Sequence, residues 1–193
     1  MTTKTTRAGT EFEQKFINRL DELRKNTGTM AALRRGLGKP PGTVADMHPY
    51  VLPWVSGFSN TRDENPFYVV AALFAFWHQG KEGTYREAPW NLGASLGRLR
   101  DDSDSIEKRF VALLNSHEDD LPVRLRHAVG LLRSKTPAIP VNWLQLLSDL
   151  RGWGWESRSV QRNWARGFWK FDAVTEDEEP SPDDGLSSAD ETA

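Results

Sequence analysis

The side chains with the plainest chemistry in this sequence are cations. Positions 121–170 hold nine Lys/Arg (Arg124, Arg126, Arg133, Lys135, Arg151, Arg158, Arg162, Arg166 and Lys170) against two carboxylates, Asp149 and Glu156. The same stretch carries five of the eight tryptophans. Arg158, Arg162, Arg166 and Lys170 recur at every fourth residue, so a helix would place them on one face. Val160, Trp164 and Phe168 recur on roughly the opposite face. Like charges at this spacing cost a helix about 0.2–0.5 kcal/mol per pair, and ordinary surface helices mix the signs. One side is patterned to pack and the other to meet an anion. A phosphate backbone rewards such a face through charge neutralisation and counterion release. A solvated face, or one visited by the chain's own acidic tail, is the plainer reading.

Catalytic chemistry leaves no comparable pattern. The histidines, His48, His78, His117 and His127, form neither HExxH nor HxH. His117 with Glu118, Asp119 and Asp120 comes nearest to a metal or acid/base cluster, but it reads as a polar helix end and turn. Asp101, Asp102 and Asp104 read as the first turn of a helix, where carboxylates favour the dipole. Gly36-Leu37-Gly38-Lys39 lacks the preceding strand of a phosphate-binding loop. The chain has no cysteine, which removes disulfides, thiol chemistry and cysteine zinc sites. No serine nucleophile elbow is present. The reading is a non-enzyme with no cofactor and no metal.

The elements that must position these cations are helical throughout. A length of 193 residues suits one large or two small domains. Positions 1–9 read as a flexible leader. Thr10 and Glu13 have the form of a capping box, followed by Phe12, Phe16, Leu20 and Leu23 on one helix face. A short helix over 29–36 carries Arg34 and Arg35, with Lys39 in the turn beyond it. Positions 44–56 read as a short or broken helix containing Pro49 and Pro53. Asn65-Pro66 fits an N-cap and first helical residue, and 67–79 is apolar nearly all round, as in a buried central helix. The two glycines of 92–99 predict close helix packing. Further helices are expected from Asp104, from Asp120-Leu121-Pro122, over 141–150 and over 157–170. No period-two alternation occurs, so the expected fold is all-α. Eight or nine helices would form two packed lobes, 10–90 and 91–171. Trp143, Trp164 and Phe168 are assigned to the core. Trp153 and Trp155 flank Gly154 in a turn that predicts exposure, suited to base stacking or protein docking.

The net charge of −2 conceals a polarised chain. Positions 172–193 hold nine Asp/Glu and no Lys/Arg. Without them, residues 1–171 carry 25 basic against 18 acidic groups, a net +7. The tail has the composition of a disordered segment, suited to solubility or to competition with nucleic acid. The longest apolar run, 67–77, is too short for a bilayer, and no apolar run follows Lys4 and Arg7 as in a signal peptide. The expectation is a cytoplasmic protein with no membrane contact.

An ordered set of short segments is similar to a known family. These are Ala32-Leu33-Arg34-Arg35, Ser95-Leu96-Gly97-Arg98, Glu107-Lys108-Arg109-Phe110, Arg124-Leu125-Arg126 leading to Leu131-Leu132, and Val141-Asn142-Trp143-Leu144. Together they span roughly 11–170 and resemble the CasB family, the small subunit of the type I-E CRISPR Cascade surveillance complex. The resemblance implies a non-catalytic, all-α subunit of an antiviral complex. A second copy would associate head to tail, beside the backbone and large subunits, near guide RNA and target DNA. Its basic surface would hold the opened DNA strands and stabilise the R-loop without reading sequence. Carried over by residue, Arg34 and Arg35 match the family's paired arginines, and Lys108 and Arg109 its central basic pair. Arg124, Arg126 and Arg133 match its basic helix in kind, with Arg126-His127 standing where some relatives have two arginines. Arg98 suits either nucleic acid or a helix end. Lys39, Lys135, Arg158, Arg162 and Arg166 complete the candidate nucleic-acid-binding set. Asp21, Glu22, Asp149 and Glu156 are candidate intramolecular partners for the arginines. The competing function is a helical adaptor whose basic face meets only partner proteins.

Overall fold

The computed structural model describes residues 4–80, 88–100 and 104–169, without the side chains of 4–10 and 104. The leader residues 1–3, Lys170, the tail 172–193, Asp101 and Asp102 lie outside that description. Nine helices are found among the described residues, and no strand. They are α1 (Lys4–Leu23), α2 (Thr27–Arg34), α3 (His48–Val55), α4 (Thr61–Trp77), α5 (Leu92–Gly97), α6 (Asp104–Leu114), α7 (Leu121–Ser134), α8 (Trp143–Arg151) and α9 (Ser159–Trp169). Short 3-10 turns, Ala45–Met47 and Glu118–Asp120, precede α3 and α7.

Asparagine starts four of these helices. Asn26, Asn60, Asn91 and Asn142 each accept a hydrogen bond at the side chain from the backbone N–H three residues on. This satisfies one of the orphan donors of a first turn. Two expected starts are corrected by it. α4 begins at Asn60 rather than Asn65, so Pro66 lies inside the helix. Asp63 and Glu64 supply the carboxylates favoured in its first turn. Similarly, α1 starts at Lys4 and runs through the Thr10/Glu13 pair expected to cap it, so 4–9 are helical rather than a loose leader. Glu13 is instead buried and meets Arg151 of α8 at 2.5 Å.

The centre is α4. Phe67, Val70, Ala71, Phe74 and Ala75 have no exposed surface, and α2, α3, α7 and α8 pack around them. Phe16 of α1 meets Phe67 edge-on with ring centroids 4.9 Å apart, and Trp143 of α8 meets Phe74 at 5.5 Å. Full burial of such a side chain contributes about 1.5–3 kcal/mol. The buried apolar residues form one cluster from Phe16 to Phe168, continuous across the position near 90 where a division into lobes is expected.

α5 and α9 pack backbone against backbone. A Cβ added at Gly93 would lie 2.1 Å from the Trp164 carbonyl oxygen, and one at Gly97 2.8 Å from that of Phe168. From the other side, a Cβ at Gly167 would lie 2.6 Å from the Asn91 side-chain oxygen. The glycines therefore permit backbone-to-backbone contact. Asn91 adds a hydrogen bond of 3.1 Å to the Asn163 carbonyl.

Candidate nucleic-acid interface

The basic residues of α6 and α7 surround one groove. On α6 the buried positions Ile106, Phe110 and Leu113 turn Lys108 and Arg109 to solvent. On α7, Leu121, Leu125, Val129 and Leu132 face inward, leaving Arg124, Arg126 and His127 exposed. A cavity of about 780 Å³ opens between the two helices, with all five basic residues in its walls and Phe76, Leu96, Ile106, Phe110 and Leu113 below them. Lys108, Arg109, Arg124 and Arg126 make no ion pair among the described residues.

Arg126 extends this surface toward the turn after α2. Its Cδ lies 3.3 Å from where a Cβ at Gly38 would stand, and Gly38 has φ +73°. Any side chain there would be strained and would press on Arg126. Lys39, next in the chain, is exposed. Arg34 sits half-buried in the last turn of α2, where a cation complements the helix dipole. Arg35 follows it and binds Asp46 at 2.7 Å, with both side chains more than half exposed. Such a pair is worth about 0–1 kcal/mol, so it yields readily to a bidentate phosphate.

The other candidates are used differently. Arg133 donates from Nε to the Trp77 carbonyl at 3.1 Å, from Nη2 to the Gln79 carbonyl, and lies over the Phe76 ring. It closes the C-terminal end of α4. Arg158 is not helical: it has φ +46°, precedes α9, and donates to the Leu114 carbonyl at 2.6 Å. The four-residue row is thereby corrected to Arg162 and Arg166 within the described part of α9, because the helix begins one residue after Arg158. Arg166 donates to Asn163 at 2.9 Å. No contact among the described residues brings either arginine to the α6–α7 groove. Arg98 lies 3.8 Å over the Trp90 ring, whose N–H donates to Ser95 at 2.9 Å. Lys135 is half-buried just beyond α7.

The opposite face of α9 packs as its spacing predicts: Val160, Trp164 and Phe168 are buried, as is Trp143. The RGWGWE turn is split. Trp155 is exposed, but Trp153 is buried, donates to the Ser116 carbonyl at 3.1 Å and packs on Trp164. Trp153 is therefore corrected from an expected exposed aromatic to a core residue. Gly154 allows the Arg62–Glu118 ion pair, 2.8 Å, to lie against this turn.

Three of the four acidic candidates bind neighbours; Glu156 makes no ion pair among the described residues. Asp21 pairs with Arg24 and Glu22 with Arg19. Asp149 binds no arginine among the described residues; it accepts from Trp164 Nε1 at 2.6 Å and Gln145 Nε2 at 2.8 Å. Burial pushes its carboxyl above the ordinary range, and these two hydrogen bonds oppose that only in part. His117 accepts from the Asp119 N–H and lies 3.2 Å from its carboxylate, both exposed. No metal-ligand group occurs among the described residues.

Sequence spacing did not indicate the apolar floor of the groove or the Arg98–Trp90 stack. His127 on the rim was signalled only by its place beside Arg126.

Comparison with known proteins bears on this arrangement. The family model for CRISPR-associated protein Cse2 matches residues 29–169. The CRISPR-associated protein Cse2 of Thermus thermophilus is 34% identical over 163 residues, covering 84% of this chain and 90% of that protein. The crystal structure of CasB from Thermus thermophilus has a TM-score of 0.69 at 34% identity, over 81% of this chain and 97% of the other. That of M. ruber CasB gives 0.69 at 31%, over 86% and 96%. A chain in a CRISPR RNA-guided surveillance complex gives 0.70 at 27%, over 86% and 96%. With the family model matching most of this chain, and a fold like those of the solved relatives, this chain belongs to the Cse2 (CasB) family.

Proposed function

We propose that this chain is a non-catalytic subunit of a CRISPR RNA-guided surveillance complex. In this reading its α6–α7 groove, with the Arg34–Arg35–Lys39 turn, holds opened target DNA by its phosphates. The observation that carries it is the cluster of Lys108, Arg109, Arg124 and Arg126 around one groove, without carboxylate partners among the described residues. R-loop formation exchanges one duplex for another at nearly balanced free energy, and backbone contacts tip it. Such contacts position a strand and carry no sequence information. A second copy of the chain, the backbone and large subunits, guide RNA and target DNA are the partners in this reading.

The apolar floor of the groove favours a second reading, docking of a partner subunit, because phosphates gain nothing from Phe76 or Ile106. The test is target-DNA binding by the reconstituted complex with and without this subunit. Intact guide-RNA loading with weakened DNA retention supports the DNA-holding role. Loss of assembly with unchanged retention supports the adaptor.

A further inference from the structure

We propose that the chain's own acidic tail docks in the α6–α7 groove and competes there with nucleic acid. Where the chain leaves the described structure is the first observation. Phe168 and Trp169, at the end of α9, both rest on Phe110 of α6, with ring centroids at 4.0 and 5.6 Å. Phe110 lines the groove. The described chain therefore ends packed on a residue that lines the groove.

Its sequence matches the groove in order and chemistry. Phe171 and Val174 come first, then Glu176-Asp177-Glu178-Glu179, then further carboxylates to a total of nine over 172–193. The groove offers an apolar floor at Ile106 and Phe110 beneath a rim of Lys108, Arg109, Arg124 and Arg126. Reach is sufficient. An extended chain advances about 3.3–3.6 Å per residue, so Glu176 can lie over 20 Å from Trp169. Helix α6, with 11 residues, is about 16 Å long at 1.5 Å per residue. The competitive part of the proposal rests on the DNA-holding role of the groove; the docking part does not.

At an effective concentration of about 1 mM for the tethered tail, an intrinsic dissociation constant about tenfold lower would keep the groove occupied about nine-tenths of the time. That occupancy would weaken DNA binding about tenfold. In the complex, a strand making many phosphate contacts displaces it.

The test uses the full chain. The chain has no cysteine, so Ser181→Cys takes a single nitroxide label. Paramagnetic broadening of backbone amides is then measured at about 50 mM salt. Docking predicts broadening concentrated at 106–113 and 124–131, abolished by the combined substitution E176Q, D177N, E178Q and E179Q. Absent or evenly spread broadening overturns it, as does broadening that survives neutralisation. In a second arm, the same neutralised chain is titrated with single-stranded DNA. A gain near tenfold supports competition. Groove-specific broadening with unchanged DNA affinity keeps the docked tail and removes the DNA-holding role.

Discussion

Substituting Gly93 by alanine tests the α5–α9 contact that holds the C-terminal helix in place. The added Cβ would stand 2.1 Å from the Trp164 carbonyl oxygen and 2.6 Å from its Cα. Non-bonded heavy atoms settle near 3.5–4.0 Å, so the helices must separate by more than about 1 Å. The obstacle is backbone and cannot rotate away. Overpacking typically costs about 1–3 kcal/mol, occasionally more, and here the upper end applies because α9 must move as a unit. A loss of about 3 kcal/mol is a large part of the ~5–15 kcal/mol that holds a domain together. At about 2–4 °C per kcal/mol for a chain of this size, Tm falls by roughly 6–12 °C. The control is Gly130→Ala in α7, where the nearest atoms to a new Cβ are those of Phe76 at 3.9 Å. Gly-to-Ala inside a helix gains about 0.5–1 kcal/mol, so this variant is at least as stable as the parent. Urea unfolding followed by tryptophan fluorescence measures both. A Gly93→Ala protein as stable as the parent would refute the packing argument.

Three further outcomes follow from individual side chains. The raised pKa of Asp149 means the folded state binds its proton more tightly than the unfolded chain does. Its stabilising contribution is full below the unfolded value and is lost as pH rises through the folded one. The stability of the parent relative to Asp149→Asn therefore declines as pH rises from about 4, measured by urea titrations; a relative gain with pH would contradict the burial. Arg151→Ala destabilises more than Glu13→Ala, because it strands the more deeply buried partner: Glu13 is 5% exposed and Arg151 29%. Removing one member of a buried pair costs up to about 3–5 kcal/mol, reduced here by the exposure of Arg151, and equal losses in chemical denaturation would count against the assignment. Arg133→Ala lowers stability by about 1–3 kcal/mol through the uncapped end of α4, whereas Arg124→Ala stays within about 0.5 kcal/mol; thermal melts showing the reverse order would overturn the division between structural and surface arginines.

Much of the fold was legible because burial imposes period. The faces Phe16–Leu20, Phe110–Leu113, Leu125–Leu132 and Val160–Trp164–Phe168 repeat at helical spacing, and each is buried. The glycines at 93 and 97 signalled close packing, though their partner, α9, is too distant in sequence to be read locally. Helix starts were less legible. Any of several asparagines can cap, and the choice of Asn60 over Asn65 depends on what the first turn then packs against. At the candidate site, charge could be counted but its use could not. Arg133 and Arg158 carry the same guanidinium as Arg124, yet the carbonyls they meet lie 56 and 44 positions away in sequence. The glycine beside Trp153 predicts exposure, but the Ser116 carbonyl that holds its N–H comes from the turn just after α6.

The most direct test of the central claim is the salt dependence of target-DNA binding by the reconstituted complex, with the parent subunit or one carrying Lys108, Arg109, Arg124 and Arg126 all changed to glutamine. Each phosphate contact to a single strand contributes about 0.7 to the slope of log affinity against log salt. Four lost contacts would flatten the slope by up to about 2.8, equal to roughly 50-fold in affinity between 50 and 200 mM. A flattened slope with normal guide-RNA loading is the predicted result. An unchanged slope would contradict the assignment of this groove to the DNA backbone.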